Sequence, residues 1–173
     1  MVRLRPYKSC DAKVIVNWIN SEEDFVKWCA NNIQYPFTEE SLNILEESRR
    51  DDDKSLLFTA TDEKGIPIGF MSMTKADYER DCIYFVFVIV DSTLRNKGYG
   101  EQMLKKAIKY VFEILNVSRI TLQVFDNNPG AHACYRKVGF ADKKYWETTF
   151  RYKNELWGCY DMVMDKSRAC PML

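Results

Sequence analysis

This chain of 173 residues has little glycine and little proline, seven and five residues respectively. No stretch rich in Pro, Gly or Ser separates one part from another, and no internal repeat or low-complexity tract is present. One domain over residues 1–173 is therefore expected, since single domains usually span about 100–200 residues. Histidine is scarcer still: His132 is the only one. Zinc sites want Cys and His clustered at short spacings. The six cysteines (10, 29, 82, 134, 159 and 170) include no CxxC pair. No metal site is expected, and the thiols read as reduced, as in a cytoplasmic protein. Charge of one sign is also lacking, with 25 basic residues against 25 acidic. That balance speaks against nucleic acid as a partner, which usually requires a basic excess. Long apolar runs are missing too. The longest, Cys82–Val90, has the length of a strand and falls far short of the roughly 18 residues that cross a bilayer. Met1–Pro6 has no apolar signal-peptide core, so a cytoplasmic location and no membrane partner are expected.

What is present is enough apolar material for a core, with 46% hydrophobic and 14% aromatic residues. Val2–Arg5 alternates like a short strand, and Ser9 is placed to cap a helix carrying Val14, Ile15, Trp18 and Ile19. A second helix is predicted over Glu22–Ala30, with Phe25, Val26 and Cys29 on one side. A third follows the Thr38-Glu-Glu-Ser cap through Leu42 and Leu45. Ser55–Thr61 and Ile66–Met73 read as a hairpin about the Asp62–Gly65 turn. Cys82–Val90 is apolar at every other position and between, which places it mid-sheet with both faces covered. A long helix follows, apolar at Met103, Leu104, Ala107, Ile108, Val111, Phe112 and Leu115 and basic at Lys105, Lys106 and Lys109. Arg119–Phe125 is the next strand, Asn127–Gly130 opens another helix ending at Gly139, and two strands close the chain, near 144–152 and 156–164. The fold class is mixed α/β (α+β), with most strands joined as hairpins.

Chemistry concentrates after the central strand, at Arg95-Asn96-Lys97-Gly98-Tyr99-Gly100-Glu101. Glycines at 98 and 100 leave backbone N–H groups uncovered where a helix begins, and the positive end of that helix adds its field. Arg95 and Lys97 bring further positive charge, so a diphosphate is the fitting guest. The P-loop pattern is absent, and the dinucleotide fingerprint fails because position 103 is methionine.

Downstream stands Asn128-Pro-Gly-Ala131-His-Ala-Cys-Tyr135-Arg-Lys-Val-Gly139-Phe140. With both segments in view, the sequence resembles the GCN5-related N-acetyltransferase (GNAT) superfamily. Its cofactor loop has the form Arg/Gln-x-x-Gly-x-Gly/Ala, and its later segment Asn-x-x-Ala-x-x-x-Tyr-x-x-x-Gly-Phe. The opening Trp18, Phe25, Trp28 and Tyr35-Pro36 is similar, more weakly, to the branch of ribosomal-protein alanine acetyltransferases. The resemblance implies a six- to seven-stranded, mostly antiparallel mixed sheet flanked by about four helices. It implies an N-acetyltransferase with acetyl-CoA as co-substrate and no metal. The N–H groups from Asn96 to Glu101 would hold the pyrophosphate, and Val88, Ile89 and Val90 would pair with the pantetheine arm like an added strand. An N–H near Val88 would polarise the thioester carbonyl. Asn128 would bond the arm, and Tyr135 would protonate the departing thiolate.

No general base is assigned. Some members carry a glutamate on the central strand where this chain has Tyr84. Glu22, Glu23, Asp24 and Asp81 are candidates, but each reads first as solvated surface charge, and His132 carries no role. The acceptor would be an amine, either a peptide N-terminus or a small molecule such as a polyamine or an aminoglycoside-like compound. Trp18, Trp28, Trp146 and Trp157 are candidates to shape its groove. A CoA-binding regulatory module without turnover, or an interaction protein without cofactor, are the rival readings. Cys170-Pro-Met-Leu173 fits the bare prenylation pattern, with only Lys166 and Arg168 as basic support. Oligomeric state is not readable from the sequence.

Overall fold

The computed structural model describes residues 1–50, 55–77 and 79–169, and the prenylation-like tail lies outside them. Seven strands form one sheet in the order β1-β2-β3-β4-β5-β7-β6. They are β1 (Arg3–Pro6), β2 (Leu56–Thr61), β3 (Pro67–Asp77), β4 (Cys82–Val90), β5 (Arg119–Phe125), β6 (Ala141–Tyr152) and β7 (Glu155–Asp165). Only β4 and β5 run parallel; all other neighbours are antiparallel.

One face of the sheet carries α4 (Tyr99–Lys109) and α5 (Pro129–Lys137). The spacing of Met103, Leu104, Ala107 and Ile108 keeps all four fully buried there, and each larger one contributes about 1.5–3 kcal/mol by leaving water. The helix runs on into a π turn at Tyr110–Ile114, where Leu115 N–H bonds the Tyr110 carbonyl at 3.1 Å. Periodicity predicts a plain helix over that stretch, because one widened turn leaves the apolar stripe intact.

The other face is covered by α1 (Ala12–Ile15), α2 (Glu22–Cys29) and α3 (Glu39–Arg50) around Ile15, Phe25, Leu42, Phe70 and Phe87. In α2 the Ser21 hydroxyl caps the Asp24 N–H at 3.1 Å, and the helix stops when Ala30 turns left-handed at φ 48°. In α3, Thr38 and Ser41 cap each other, at 3.0 and 3.1 Å. The expected Ser9 cap does not form. Instead Asp11, buried to 3% exposure, accepts from the Lys8 N–H, the Arg5 guanidinium (2.7 and 2.8 Å) and the Thr59 hydroxyl (2.8 Å). A carboxylate collects these donors better than a hydroxyl, so Asp11 and not Ser9 organises the turn.

Both β3 and the closing hairpin are longer than the apolar pattern predicts, since their ends are polar but still paired with neighbouring strands. A third apolar cluster, Val26, Phe125, Trp157 and Cys159, joins α2 to that hairpin. The cysteines at 10, 29, 82, 134 and 159 are all free. Among the described residues no helix is long and apolar enough to cross a membrane, and no group of His, Cys, Asp and Glu is placed to hold a metal.

Candidate active site

The central parallel pair is short. Cys82, Ile83 and Tyr84 pair with Arg119, Ile120 and Thr121, and there the two strands part. Beyond Tyr84, β4 stays bonded to β3, while β5 stays bonded to β7. Residues 85–90 thus present an unpaired backbone edge inside the molecule. A bulge marks the same place: Phe87 and Val88 stand opposite one residue, Met71, and Phe87 takes φ 55° although it is neither glycine nor asparagine. Its ring is buried against Trp28, 5.6 Å between centroids, and that packing holds the strained backbone. The wedge between the strands opens into a cavity of about 1150 Å³.

At one end of this cavity lies the glycine loop. Asn96 (φ 61°) and Gly98 (φ 80°) are both left-handed, alternating with ordinary conformations, an arrangement that turns successive N–H groups to one side. Gly98 caps α4 and has no side chain with which to accept, so the first N–H groups of that helix lack the usual cap hydrogen bond. A Cβ on Gly100 would reach Cys134 Sγ at 3.5 Å and Val90 Cγ2 at 3.6 Å, ordinary contacts that accept a methyl but nothing larger without filling the cavity. Arg95, Asn96, Gly98, Gly100 and Glu101 line this end. Lys97 and Tyr99 do not: the Lys97 ammonium turns back onto the Thr93 carbonyl at 3.0 Å, and Tyr99 packs on the core. The positive charge expected of Lys97 is therefore turned away from the cavity, because the carbonyl of the preceding 3-10 turn holds its ammonium; only its backbone N–H, like that of Tyr99, stays available there. Glu101 is held below the usual carboxylate range by Lys137 (2.7 Å) and Lys105 (3.0 Å), so its charge is balanced where an anion would sit. Lys137 also lines the cavity and went unmarked in the sequence. Helical spacing from Gly130 through Ala133 to Lys137 is the signal that points to it.

Val88, Ile89, Val90, Asn128 and Tyr135 complete the expected set, and all five line the cavity. Asn128 caps α5 by accepting from the Ala131 N–H at 3.3 Å, which engages its carbonyl and leaves its amide N–H groups as donors. Tyr135 is 7% exposed and packs edge-on against Phe140. Burial, with a smaller push from Cys134, raises its hydroxyl well above the ordinary phenol range. Among the described residues nothing hydrogen-bonds that hydroxyl.

The far end of the cavity is built from separate segments: Ile19 from the extended stretch before α2, Asp24 and Trp28 from α2, Arg49 from α3, Thr74 from β3 and Gln123 from β5. The Arg49 guanidinium rests on the Thr74 and Ser55 hydroxyls. Trp28 packs at tilted and edge-on angles among Phe25, Phe37, Phe70 and Phe87. Of the four tryptophans, Trp28 lines this cavity and Trp146 a smaller one beside it, whereas Trp18 and Trp157 are core. Of the four candidate bases only Asp24 reaches the lining. Glu22 pairs with Lys153, Glu23 with Lys27, and Asp81 accepts from the Ser118 N–H. His132 bonds Asp142 at 2.7 Å and stacks on Tyr160, away from the cavity lining.

Comparison with known proteins bears on the same geometry. The model of the acetyltransferase (GNAT) family matches residues 16–140. The spermidine N(1)-acetyltransferase of Vibrio cholerae is 27% identical over 143 residues, which is 81% of this chain and 79% of that protein. The acetyltransferase PseH of Campylobacter jejuni is 27% identical over 146 residues, 81% of this chain and 85% of that one. The crystal structure of the Vibrio cholerae spermidine N-acetyltransferase with CoA and spermine superposes at a TM-score of 0.84, with 22% identity and 98% of each chain covered. None of these three is a ribosomal-protein alanine acetyltransferase, the branch to which the aromatic opening is similar. The family match takes in the glycine loop, the fork and the Asn128–Phe140 segment, and on that match this chain belongs to the acetyltransferase (GNAT) family.

Proposed function

We propose that the chain moves the acetyl group of acetyl-CoA directly to a primary amine of a small molecule, with no covalent enzyme intermediate. The observation that carries this reading is the fork: an unpaired β4 edge beside an uncapped helix N-terminus, both opening on one cavity. Acetyl-CoA has the matching parts, a pyrophosphate for the N–H groups of residues 96–101 and an amide-bearing arm for the open edge. It supplies the activated acetyl group: the neutral amine nitrogen bonds the carbonyl carbon, the C–S bond breaks, and the proton shed by the nitrogen balances, through solvent, the one the thiolate takes up.

In this reading Val88, Ile89 and Val90 align the arm, and an N–H near Val88 faces the carbonyl oxygen. Asn128 donates its amide N–H to the arm, and Arg95 and Lys137 bring positive charge to the phosphates. Tyr135 attends the departing sulfur. A reference thiol titrates near 8.5 and a phenol near 10, so complete proton transfer is uphill by about 2 kcal/mol before burial widens the gap. The hydroxyl therefore stabilises the thiolate chiefly by donating a hydrogen bond. The spermidine N-acetyltransferase of Vibrio cholerae, similar to this chain, supports a small-molecule acceptor over a peptide end.

Incubating the full chain with acetyl-CoA and a panel of small amines, followed by mass spectrometry, tests this. The expected product is the amine plus one acetyl group, with free CoA in equal amount. Acetyl-CoA binding with no product from any amine would overturn the transfer reading and leave a CoA-binding module.

A further inference from the structure

A second cavity of about 370 Å³ shares Ala30, Gln123, Phe125 and Cys159 with the first, so the two adjoin. Its remaining wall is Trp146, Thr149, Phe150 and Asp161. Asp161 is unusual there. One carboxylate oxygen accepts from Gln123 Nε2 and the other from Trp146 Nε1, each at 2.7 Å. Both donors are neutral, and among the described residues no ion pair reaches this carboxylate. An ionised carboxyl has about four acceptor positions, so two stay open. Lys144, its partner in the β6–β7 register, rests instead on the Trp146 ring, 3.2 Å from the centroid.

Other cations near the acceptor end are placed elsewhere. Lys27 pairs with Glu23 at 2.6 Å and lies over Trp157. Arg49 stands on the β3 side, three strand spacings from β7, roughly 14 Å. The cavity is thus positive toward β3 and carries an unbalanced negative charge, between aromatic walls, toward β7. A carboxylate beside aromatic rings recognises an alkylammonium.

Strand geometry gives the reach. Gln123 lies two residues beyond Thr121, where β4 and β5 part, and Asp161 is its partner across β5–β7. That puts Asp161 roughly 8 Å from the fork by strand dimensions. We infer that the Asp161 pocket receives the second ammonium of a diamine or polyamine while the first amine is acetylated at the fork. This deepens the proposed function and rests on it for the position of the reacting amine.

The test compares 1,4-diaminobutane with n-butylamine, equal chains differing by one cation, in the wild type and in Asp161→Asn. The ratio of kcat/KM for the diamine to that for the monoamine is expected to fall about ten-fold or more, the range for losing a hydrogen bond to a charged partner. Thr149→Lys, an exposed position on the pocket wall, is expected to lower the same ratio with Asp161 intact. A ratio unchanged within about two-fold in both variants overturns the inference. Calorimetric titration with 1,4-diaminobutane in the presence of CoA separates the two readings. Binding that weakens in Asp161→Asn supports the subsite even where turnover is nil, in which case the transfer reading fails alone. No binding to the wild type overturns the subsite whatever the turnover.

Discussion

The two ends of the main cavity are made of different materials. At the glycine loop the wall is largely backbone: left-handed Asn96 and Gly98, uncapped N–H groups of α4, and the bare edge of β4. At the other end it is side chain, contributed by α2, α3, β3 and β5. Backbone offers the same donors whatever the residue, so the first end suits a ligand that does not change. Side chains vary singly, so the second end is where acceptor choice resides. Changes at the two ends should therefore separate in kinetics.

The largest effect is expected from Gly100→Trp. The indole has to enter the cavity because its Cβ already touches Cys134 and Val90. Acetyl-CoA affinity should fall more than about 100-fold by calorimetry, while Gly100→Ala stays within about three-fold. If both variants bind normally, the backbone end is not the cofactor end.

Tyr135→Phe comes next. Loss of a hydrogen bond to the leaving sulfur should lower kcat about 10- to 100-fold, with acetyl-CoA affinity nearly unchanged. Because burial raises the phenol in the folded chain, it stays protonated throughout the working range. No fall in kcat from this group is expected below about pH 10, and a basic limb near pH 8–9 that disappears in the variant would contradict its role.

Asp11→Asn probes the frame of the acceptor side. Burial acts against the ionised form, but hydrogen bonds from Arg5, Thr59 and Lys8 outweigh it and leave Asp11 below the usual carboxylate range. A depressed folded value means the stabilisation is complete above about pH 4 and is lost as pH falls through the folded value. The variant should lose about 2 kcal/mol at neutral pH and show a shallower acid loss in thermal melts, with acetyl-CoA affinity intact.

The smallest effect belongs to Arg49→Met. Removing a cation from the acceptor end should lower KM for a cationic amine by about three-fold and leave the KM of acetyl-CoA alone, since a partly exposed charge is weakly felt. Equal changes in both constants would erase the distinction between the ends.

The cofactor end was legible because its residues are contiguous: residues 95–101 and 128–140 each carry their own spacing, and a helix start cannot be moved without breaking the loop. The acceptor end was not. Trp28 was only one of four tryptophans put forward, two of them core, while Arg49, Thr74 and Asp161 come from three separated segments and each looks ordinary where it stands. Asp161, a single polar position in Tyr160-Asp-Met-Val-Met164, reads as a solvent-facing strand residue. Only the β5–β7 register and the Trp146 indole reveal it as a pocket wall. Strand order in the sheet was beyond reach for the same reason, because it leaves no mark in local periodicity, and the open β4 edge at Val88–Val90 came from the family resemblance and not from the pattern. The Phe87 bulge shows this best: an apolar run of nine residues conceals one positive φ.

Hydrogen exchange across β4, with and without acetyl-CoA, tests the central claim most directly. The account predicts that amides in residues 85–90 exchange about 100-fold more slowly once acetyl-CoA is added, while the β6 edge is unaffected. Unchanged exchange in β4 at saturating acetyl-CoA, or protection confined to another strand, would contradict it.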